Sequence, residues 1–382
     1  MKVKRELAQR IQQKLQPGKV IIVLGARRVG KTVMVKDLLE KIGEPYLYLN
    51  GEDINVHDQL SNRSVENYKQ IIGTYTLLYI DEAQKIPDIG LKLKLMIDEI
   101  ENLKIVISGS SAFDINKNTG EPLTGRKYTF HLYALSENEY STNETSINKL
   151  EKVKERLVYG NYPELLHIPD KADKKDYLNE MMSSYLLKDI LVYENIKNSQ
   201  KIFNLLRLIA YQIGGEVSLQ ELGRQLGISK NTVEKYLDLL SKVFILHKVG
   251  GFSRNSRKEI TKNSRWYFLD NGIRNAVIAN FNSIESRDDI GTLWENYMIS
   301  ERLKYQEYRR LSSNNYFWRT YDQQEIDWVE ERDGLLFGYE MKWKKDKTKI
   351  PPQWKKTYPE ASFKVINQTN FMKWLTPEMP FD

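Results

Sequence analysis

Apolar residues arrive along the first part of the chain in two alternating rhythms. Val20-Ile21-Ile22-Val23-Leu24, Tyr46-Leu47-Tyr48-Leu49, Thr76-Leu77-Leu78-Tyr79-Ile80 and Lys104-Ile105-Val106-Ile107-Ser108 are short apolar runs, each bounded by turn residues or charge. Such runs predict strands buried on both faces. Between them, Lys4 to Leu15, the stretch from Val33 onward, Val65 to Ile72 and Leu91 to Glu99 repeat their apolar positions at helical spacing. Strand and helix in alternation predict an α/β fold: a parallel sheet flanked by helices, with ligand at the strand C-termini.

The rhythm changes after Tyr162. Asp176 to Tyr193 reads as a helix with Tyr177, Met181, Tyr185, Leu186 and Leu187 on its buried side. Lys201 to Ile213 is a helix, Leu219 to Leu226 a shorter one, and Gly227-Ile228-Ser229 a turn into a third from Lys230 to Phe244. Short helix, Gly turn, second helix is a helix-turn-helix pattern, here winged by a strand at Ile245 to Val249. Lys230, Asn231 and Lys235 would then face DNA; the rival reading is a protein-contact module or spacer. A polar, basic loop at Asn255 to Lys262 leads to a strand, Arg265 to Asp270, closed by Asn271-Gly272. Last come a helix (Gly291 to Tyr308), three strands (Tyr316 to Tyr321, Glu325 to Glu331, Leu335 to Trp343), a helix (Pro351 to Tyr358), a strand (Phe363 to Ile366) and a short helix (Phe371 to Leu375).

Length and composition narrow the class. A chain of 382 residues exceeds one core and implies two or three domains. No apolar run reaches the ~18 residues that span a bilayer, and the first residues lack a signal-peptide core, so no membrane contact and a cytoplasmic location are expected. With no Cys and four His, thiolate metal sites are excluded and zinc chemistry is restricted. A net charge of +7 permits a nucleic-acid partner without requiring one.

The chemistry begins where the first apolar run ends. Gly25-Ala26-Arg27-Arg28-Val29-Gly30-Lys31-Thr32, followed by Val33, is G-x-x-x-x-G-K-T between a strand and a helix. This is the context a phosphate-binding loop requires. Gly25 and Gly30 let backbone N–H groups approach phosphate oxygens, and the helix start adds its dipole. Lys31 should reach the β- and γ-phosphates, and Thr32 should ligate Mg²⁺. The third run ends in Asp81-Glu82. Asp81 is expected to hold Mg²⁺, and Glu82 to orient or deprotonate the attacking water. At the tip of the fourth run Ser110, or alternatively Ser108, is placed to touch the γ-phosphate or that water.

These stretches, with Ile86-Pro87-Asp88, Ile107 to Ser111, Leu123-Thr124-Gly125-Arg126, Leu135-Ser136-Glu137, Glu139-Tyr140 and Gly160-Asn161-Tyr162-Pro163-Glu164, resemble the bacterial and archaeal AAA-type ATPases of the AAA+ superfamily that carry a C-terminal region of unassigned function. The resemblance implies ATP and Mg²⁺ as cofactors, ATP hydrolysis, and a homo-oligomer in which Arg126 acts as a finger on a neighbouring site. A plain surface cation is the equal alternative for Arg126.

Toward the end, Asp327 lies on the second strand of the meander and Glu340-Met341-Lys342 on the third. Alternation puts Glu340 and Lys342 on one face, within reach of Asp327. Helix, three-strand meander, helix, strand with this D…E-x-K spacing is similar to restriction-endonuclease-like nucleases of the PD-(D/E)XK type. The resemblance implies Asp327 and Glu340 as ligands of Mg²⁺ or Mn²⁺, Lys342 as the stabilising cation and Glu295 as accessory acid. A solvated strand end is the competing reading. The expected plan is thus a P-loop core over 1–162, a helical lid or linker over 163–200, a winged-helix-like region over 201–283 and a nuclease-like α/β domain over 284–382. Its expected work is ATP hydrolysis coupled to handling of DNA; the alternative is a nucleotide-driven switch for a protein partner with a retired nuclease fold.

Overall fold

The computed structural model describes residues 3–110, 123–141, 148–186, 199–253, 264–344 and 348–376. Ser111, the expected helix end 187–193, the loop 255–262 and Lys345 lie outside them. The chain forms two compact units, Lys2–Ala134 and Leu135–Asp382, so the range 1–162 divides after Ala134.

The first unit holds five parallel strands: β1 (Val20–Leu24), β2 (Leu47–Asn50), β3 (Leu77–Asp81), β4 (Lys104–Gly109) and β5 (Lys127–His131), in the order β2-β3-β4-β1-β5. β1 and β3 are buried at every position, which is why they read as unbroken apolar runs. β5 was not legible in the sequence because it is an edge strand with only Phe130 buried. Helices Glu6–Lys14, Lys31–Ile42, Ile54–Gln59, Val65–Ile72 and Ile89–Glu99 complete the unit. Asp53 and Ser64 cap two of them, accepting from Asn55 N and Asn67 N. Because the strands are parallel, Leu24, Asn50, Asp81 and Gly109 all end at one edge of the sheet.

The second unit contains a seven-stranded mixed sheet. Its strands are β6 (Glu216–Val217), β7 (Leu246–Gly251), β8 (Ser264–Phe268), β9 (Asn314–Arg319), β10 (Glu325–Arg332), β11 (Leu335–Met341) and β12 (Ser362–Ile366), in the order β12-β11-β10-β9-β7-β8-β6. β9, β10 and β11 form an antiparallel meander, and β12 runs parallel to β11. The boundary expected at 283/284 is crossed by this sheet, because β7 pairs in parallel with β9 through Gly250–Tyr316 and Gly251–Phe317. Helix Ile290–Arg309 is buried on nearly all sides, Trp294, Tyr297 and Met298 included. Phe252, Trp318, Ile326, Val329, Leu336, Trp354 and Tyr358 make one apolar cluster of the unit.

Three local readings change. Asn271-Gly272 opens a helix, Asn271–Val277, instead of closing a turn, because Asp270 caps it by accepting from Ile273 N at 3.2 Å. The helix expected from Asp176 starts at Lys171 under an Asp170 cap and passes at Met181–Leu186 into a π-helical turn. β11 stops at Met341, and Lys342 follows it while still donating its N–H to Ile366 O at 3.0 Å.

Candidate functional site

The phosphate loop leaves β1 at the C-terminal edge of the sheet. Gly30 sits at φ 93°, a left-handed position that a side chain resists, and starts the helix at Lys31. Gly25 is required by crowding: a Cβ there would lie 2.1 Å from Leu132 O. Lys31 is buried, and its ammonium donates to Gly25 O and Ala26 O at 2.9 Å each. Arg28 takes φ 62° at the loop tip. Arg5, which the apolar pattern did not single out, pins the loop from behind by donating to Val29 O at 2.6 Å and to Tyr133 O at 2.7 Å.

Opposite the loop, Asp81 ends β3. Its Oδ2 accepts from Thr32 Oγ1 at 2.7 Å, and its Oδ1 accepts from the Ser108 hydroxyl. Ser108 also meets Tyr79 OH at 3.1 Å, so it is committed to the acid and the phenol. Burial first, and Asp81 second, keep the Tyr79 phenol neutral by pushing its pKa far up. Glu82 stands at φ 48°, and its Oε2 accepts from Gln84 Nε2 at 2.5 Å. The same nitrogen lies 3.2 Å from Ser110 Oγ. Val33 is exposed on the first helical turn. Arg27 and Arg28 lie within the loop, Arg28 exposed. Arg126 is not brought to this site. Its carbonyl accepts from Val20 N, at the opposite end of β1, and its Nε pairs with Asp98 at 2.9 Å.

The C-terminal candidates do gather. Trp328 on β10 faces Tyr339 on β11, which sets Asp327 and Glu340 beside each other. Asp327 Oδ2 accepts from Met341 N at 2.8 Å, and Lys342 Nζ lies 2.7 Å from Glu340 Oε1. Glu340 Oε2 is buried without a hydrogen-bond partner. Glu295 accepts from Tyr267 OH at 2.7 Å. Two members of the cluster, Arg265 and Tyr267, come from β8, and sequence spacing gave no sign of them. Arg265, only 2% exposed, sets Nη1 at 3.9 Å from Asp327 and 4.0 Å from Glu295, and Nη2 at 2.8 Å from Glu325. Burial, then Glu295 and Glu340, hold the Asp327 carboxyl well above the usual range. Burial also raises Glu295, against the pull of Arg265 and the Tyr267 bond. Burial works to lower Lys342, but its bond to Glu340 and the charge of Asp327 raise it overall. Among the described residues, no three Asp, Glu, His or Cys side chains group so as to hold a metal ion.

Residues 17–141 match the family model of an AAA domain. This part of the chain is thus similar to an AAA domain, in keeping with its phosphate-loop sequence. Residues 150–284 and 290–370 match two further models, each described only as a domain of unknown function. An uncharacterized protein of Mycobacterium tuberculosis is 23% identical over 344 residues, 89% of this chain and 74% of its own length. Another, from Methanocaldococcus jannaschii, is 24% identical over 357 residues, 87% of this chain and 77% of its own. Among solved structures, a signal transduction ATPase with numerous domains and a tetratricopeptide repeat sensor, from Pyrococcus horikoshii, aligns with 78% of this chain and 45% of its own at TM-score 0.31 and 14% identity. The Thermotoga maritima RuvB Holliday junction branch migration motor aligns with 60% of this chain and 81% of its own at TM-score 0.27 and 15% identity.

The first unit therefore carries its loop, the Asp81-Glu82 pair and its polar strand tip at one sheet edge. Among the described residues, no helix is long and apolar enough to cross a membrane.

Proposed function

We propose that the chain is a Mg²⁺-dependent ATP hydrolase whose cycle governs nucleic-acid handling by the second unit. The observation that carries the hydrolase is the 2.7 Å bond between Thr32 and Asp81, which sets a hydroxyl and a carboxylate side by side next to Lys31. These are the oxygen donors a hard divalent ion takes. In this reading Gly25 to Val33 wraps the phosphates, Lys31 leaves its loop carbonyls for the β- and γ-oxygens, and Thr32 with Asp81 holds the ion. Bound Mg²⁺ offsets the charge that builds on the transferred phosphoryl group. Glu82 receives a proton from the attacking water, and Ser110 stands at the same edge. Arg126, at the far end of its own sheet, reaches an ATP only on a neighbouring copy of the chain.

The nucleic-acid half is supported by the order helix, β9-β10-β11, helix, β12, with Asp327, Glu340 and Lys342 together, which matches a restriction-endonuclease-like core. Helices Leu219–Leu226 and Lys230–Lys242 with β6 to β8 fit a winged helix. Lys230, Asn231 and Lys235 are exposed on it, though Glu234 and Asp238 share the exposed surface. One observation favours the second reading, a protein-interaction switch with a silent nuclease fold. Arg265 already stands among the carboxylates where a metal ion would have to sit. The residues therefore do not fit a divalent ion as they stand.

Metal-dependent cleavage of plasmid and single-stranded DNA decides between these readings. Cleavage by the full chain in Mg²⁺ or Mn²⁺, lost in Asp327→Ala and Lys342→Ala, supports the nuclease. ATP turnover that DNA does not stimulate, no salt-sensitive DNA binding and no cleavage support the switch. The hydrolase itself falls if purified full chain with Mg²⁺ does not release phosphate from ATP.

A further inference from the structure

Gln84 has no role in the reading above, yet it is the side chain that holds Glu82. Glu82 leaves β3 in the left-handed region, and residues Ala83–Lys85 then form a single 3₁₀ turn that contains Gln84. The Gln84 amide nitrogen lies 2.5 Å from Glu82 Oε2 and 3.2 Å from Ser110 Oγ. The amide cannot be flipped, since that would set its carbonyl against a carboxylate, two acceptors facing each other. Both N–H groups are thus committed, one to the acid on the loop after β3 and one to the hydroxyl beyond β4. The carbonyl Oε1 is buried and has no hydrogen-bond partner. A buried acceptor left unsatisfied is rare and is one mark of a functional position.

We propose that Gln84 is a positioning residue for ATP hydrolysis: its amide ties the Glu82 carboxylate to Ser110, so that the acid meets the attacking water in one orientation. This rests on Glu82 as the acceptor of the water's proton. A carboxylate after a strand end has several rotamers, and a fixed acceptor is worth more than a mobile one because the orientation is settled before the reaction begins. The left-handed backbone at Glu82 is consistent with a geometry imposed by its surroundings.

The test measures ATP turnover and the affinity for a fluorescent ATP analogue in the full chain, for wild type, Glu82→Gln, Gln84→Ala, Gln84→Met and the double variant Glu82→Gln/Gln84→Met. Methionine keeps the length and volume of the side chain and removes only the amide. Gln84→Met should lower kcat about 10- to 100-fold, part of the roughly 10²- to 10⁴-fold that a general base supplies, while KM and analogue affinity change less than about threefold. Retained affinity shows that the variant is folded. The double variant should be no slower than Glu82→Gln alone, because the two residues act as one unit. Wild-type turnover in Gln84→Met, or a defect in Gln84→Ala that methionine repairs, overturns the proposal in favour of a packing role. Normal turnover in Glu82→Gln instead removes the base assignment on which the proposal stands, whereas a dead Glu82→Gln beside a normal Gln84→Met removes Gln84 alone.

Discussion

Thr32 Oγ1 donates to Asp81 Oδ2 across the end of β4, which lies between β1 and β3, while Ser108 of β4 donates to the other oxygen of the same carboxylate. One acid therefore ties the end of β3 to β4 and to the first turn of the helix Lys31–Ile42. Thr32→Ala should raise the Mg²⁺ concentration for half-maximal ATP turnover at least about 10- to 100-fold, since losing a ligand costs no less than losing a group that only orients one. Thr32→Ser keeps the hydroxyl and should behave as wild type. A magnesium titration of both variants checks this, and equal curves for Ala and Ser would reject the role of the hydroxyl.

Lys31 is held by two carbonyls of its own loop, so its charge is stored at the site before nucleotide arrives. Lys31→Ala should weaken ATP binding about 10- to 100-fold, as expected for losing a charge-assisted contact of roughly 1.5–3 kcal/mol. Equilibrium titration with a fluorescent analogue measures it. Affinity within a factor of about two of wild type would place the phosphate elsewhere.

The loop, Asp81 and Glu82 were legible because each needs only a short stretch of chain: a buried strand, a turn and a helix start. The same holds for the meander, whose alternation and Asp333-Gly334 turn are local, with both turn residues at positive φ. Contacts made by residues distant in sequence were not legible. Arg265 reads as one more polar residue opening a strand, and only the pairing of β7 with β9 carries it toward Asp327 and Glu295. Leu135 to Tyr140 and Gly160 to Glu164 showed no chemistry in sequence for a similar reason. They form a buried polar interlock in which Glu137 takes two bonds from Arg156, at 2.7 and 2.8 Å, and a third from Tyr297. Which end of the sheet Arg126 occupies was not legible either, since a basic residue after a Gly turn carries no sign of it; it lies at the N-terminal end of β1, paired with Asp98.

Gly160 belongs to that interlock. It sits at φ 78°, and a Cβ would lie 2.0 Å from Asp270 Oδ1. Asp270 cannot retreat freely, because it also accepts from Asn161 N at 2.7 Å and caps the helix at Asn271. Gly160→Ala should cost about 2 kcal/mol or more, combining left-handed backbone with a clash against a fixed group. Urea unfolding of the second unit reads the loss. A change under about 0.5 kcal/mol, the range of an ordinary surface substitution, would show that Asp270 yields.

Glu301 gives the interlock a pH dependence. Its carboxylate accepts from Lys304 Nζ at 2.5 Å, Glu137 N at 2.8 Å and Asn161 Nδ2 at 3.0 Å. Burial pushes its pKa up, Lys304 pulls it down, and nearby Glu137 adds to the rise, leaving it at about 7 against 4.5 for a free glutamate. The fold therefore binds a proton there more tightly than the unfolded chain does. The stabilisation from that proton is fully present below pH 4.5 and is lost as the pH rises through about 7. Glu301→Gln carries no titrating group at this position, so comparing the two proteins cancels every other ionisation they share. The stability of wild type relative to Glu301→Gln should be greater at pH 5 than at pH 8, with most of the change between about 5 and 8. Urea midpoints measured across that range test the sign. A constant difference, or one that grows toward alkaline pH, would mean that Lys304 outweighs burial and keeps Glu301 charged throughout.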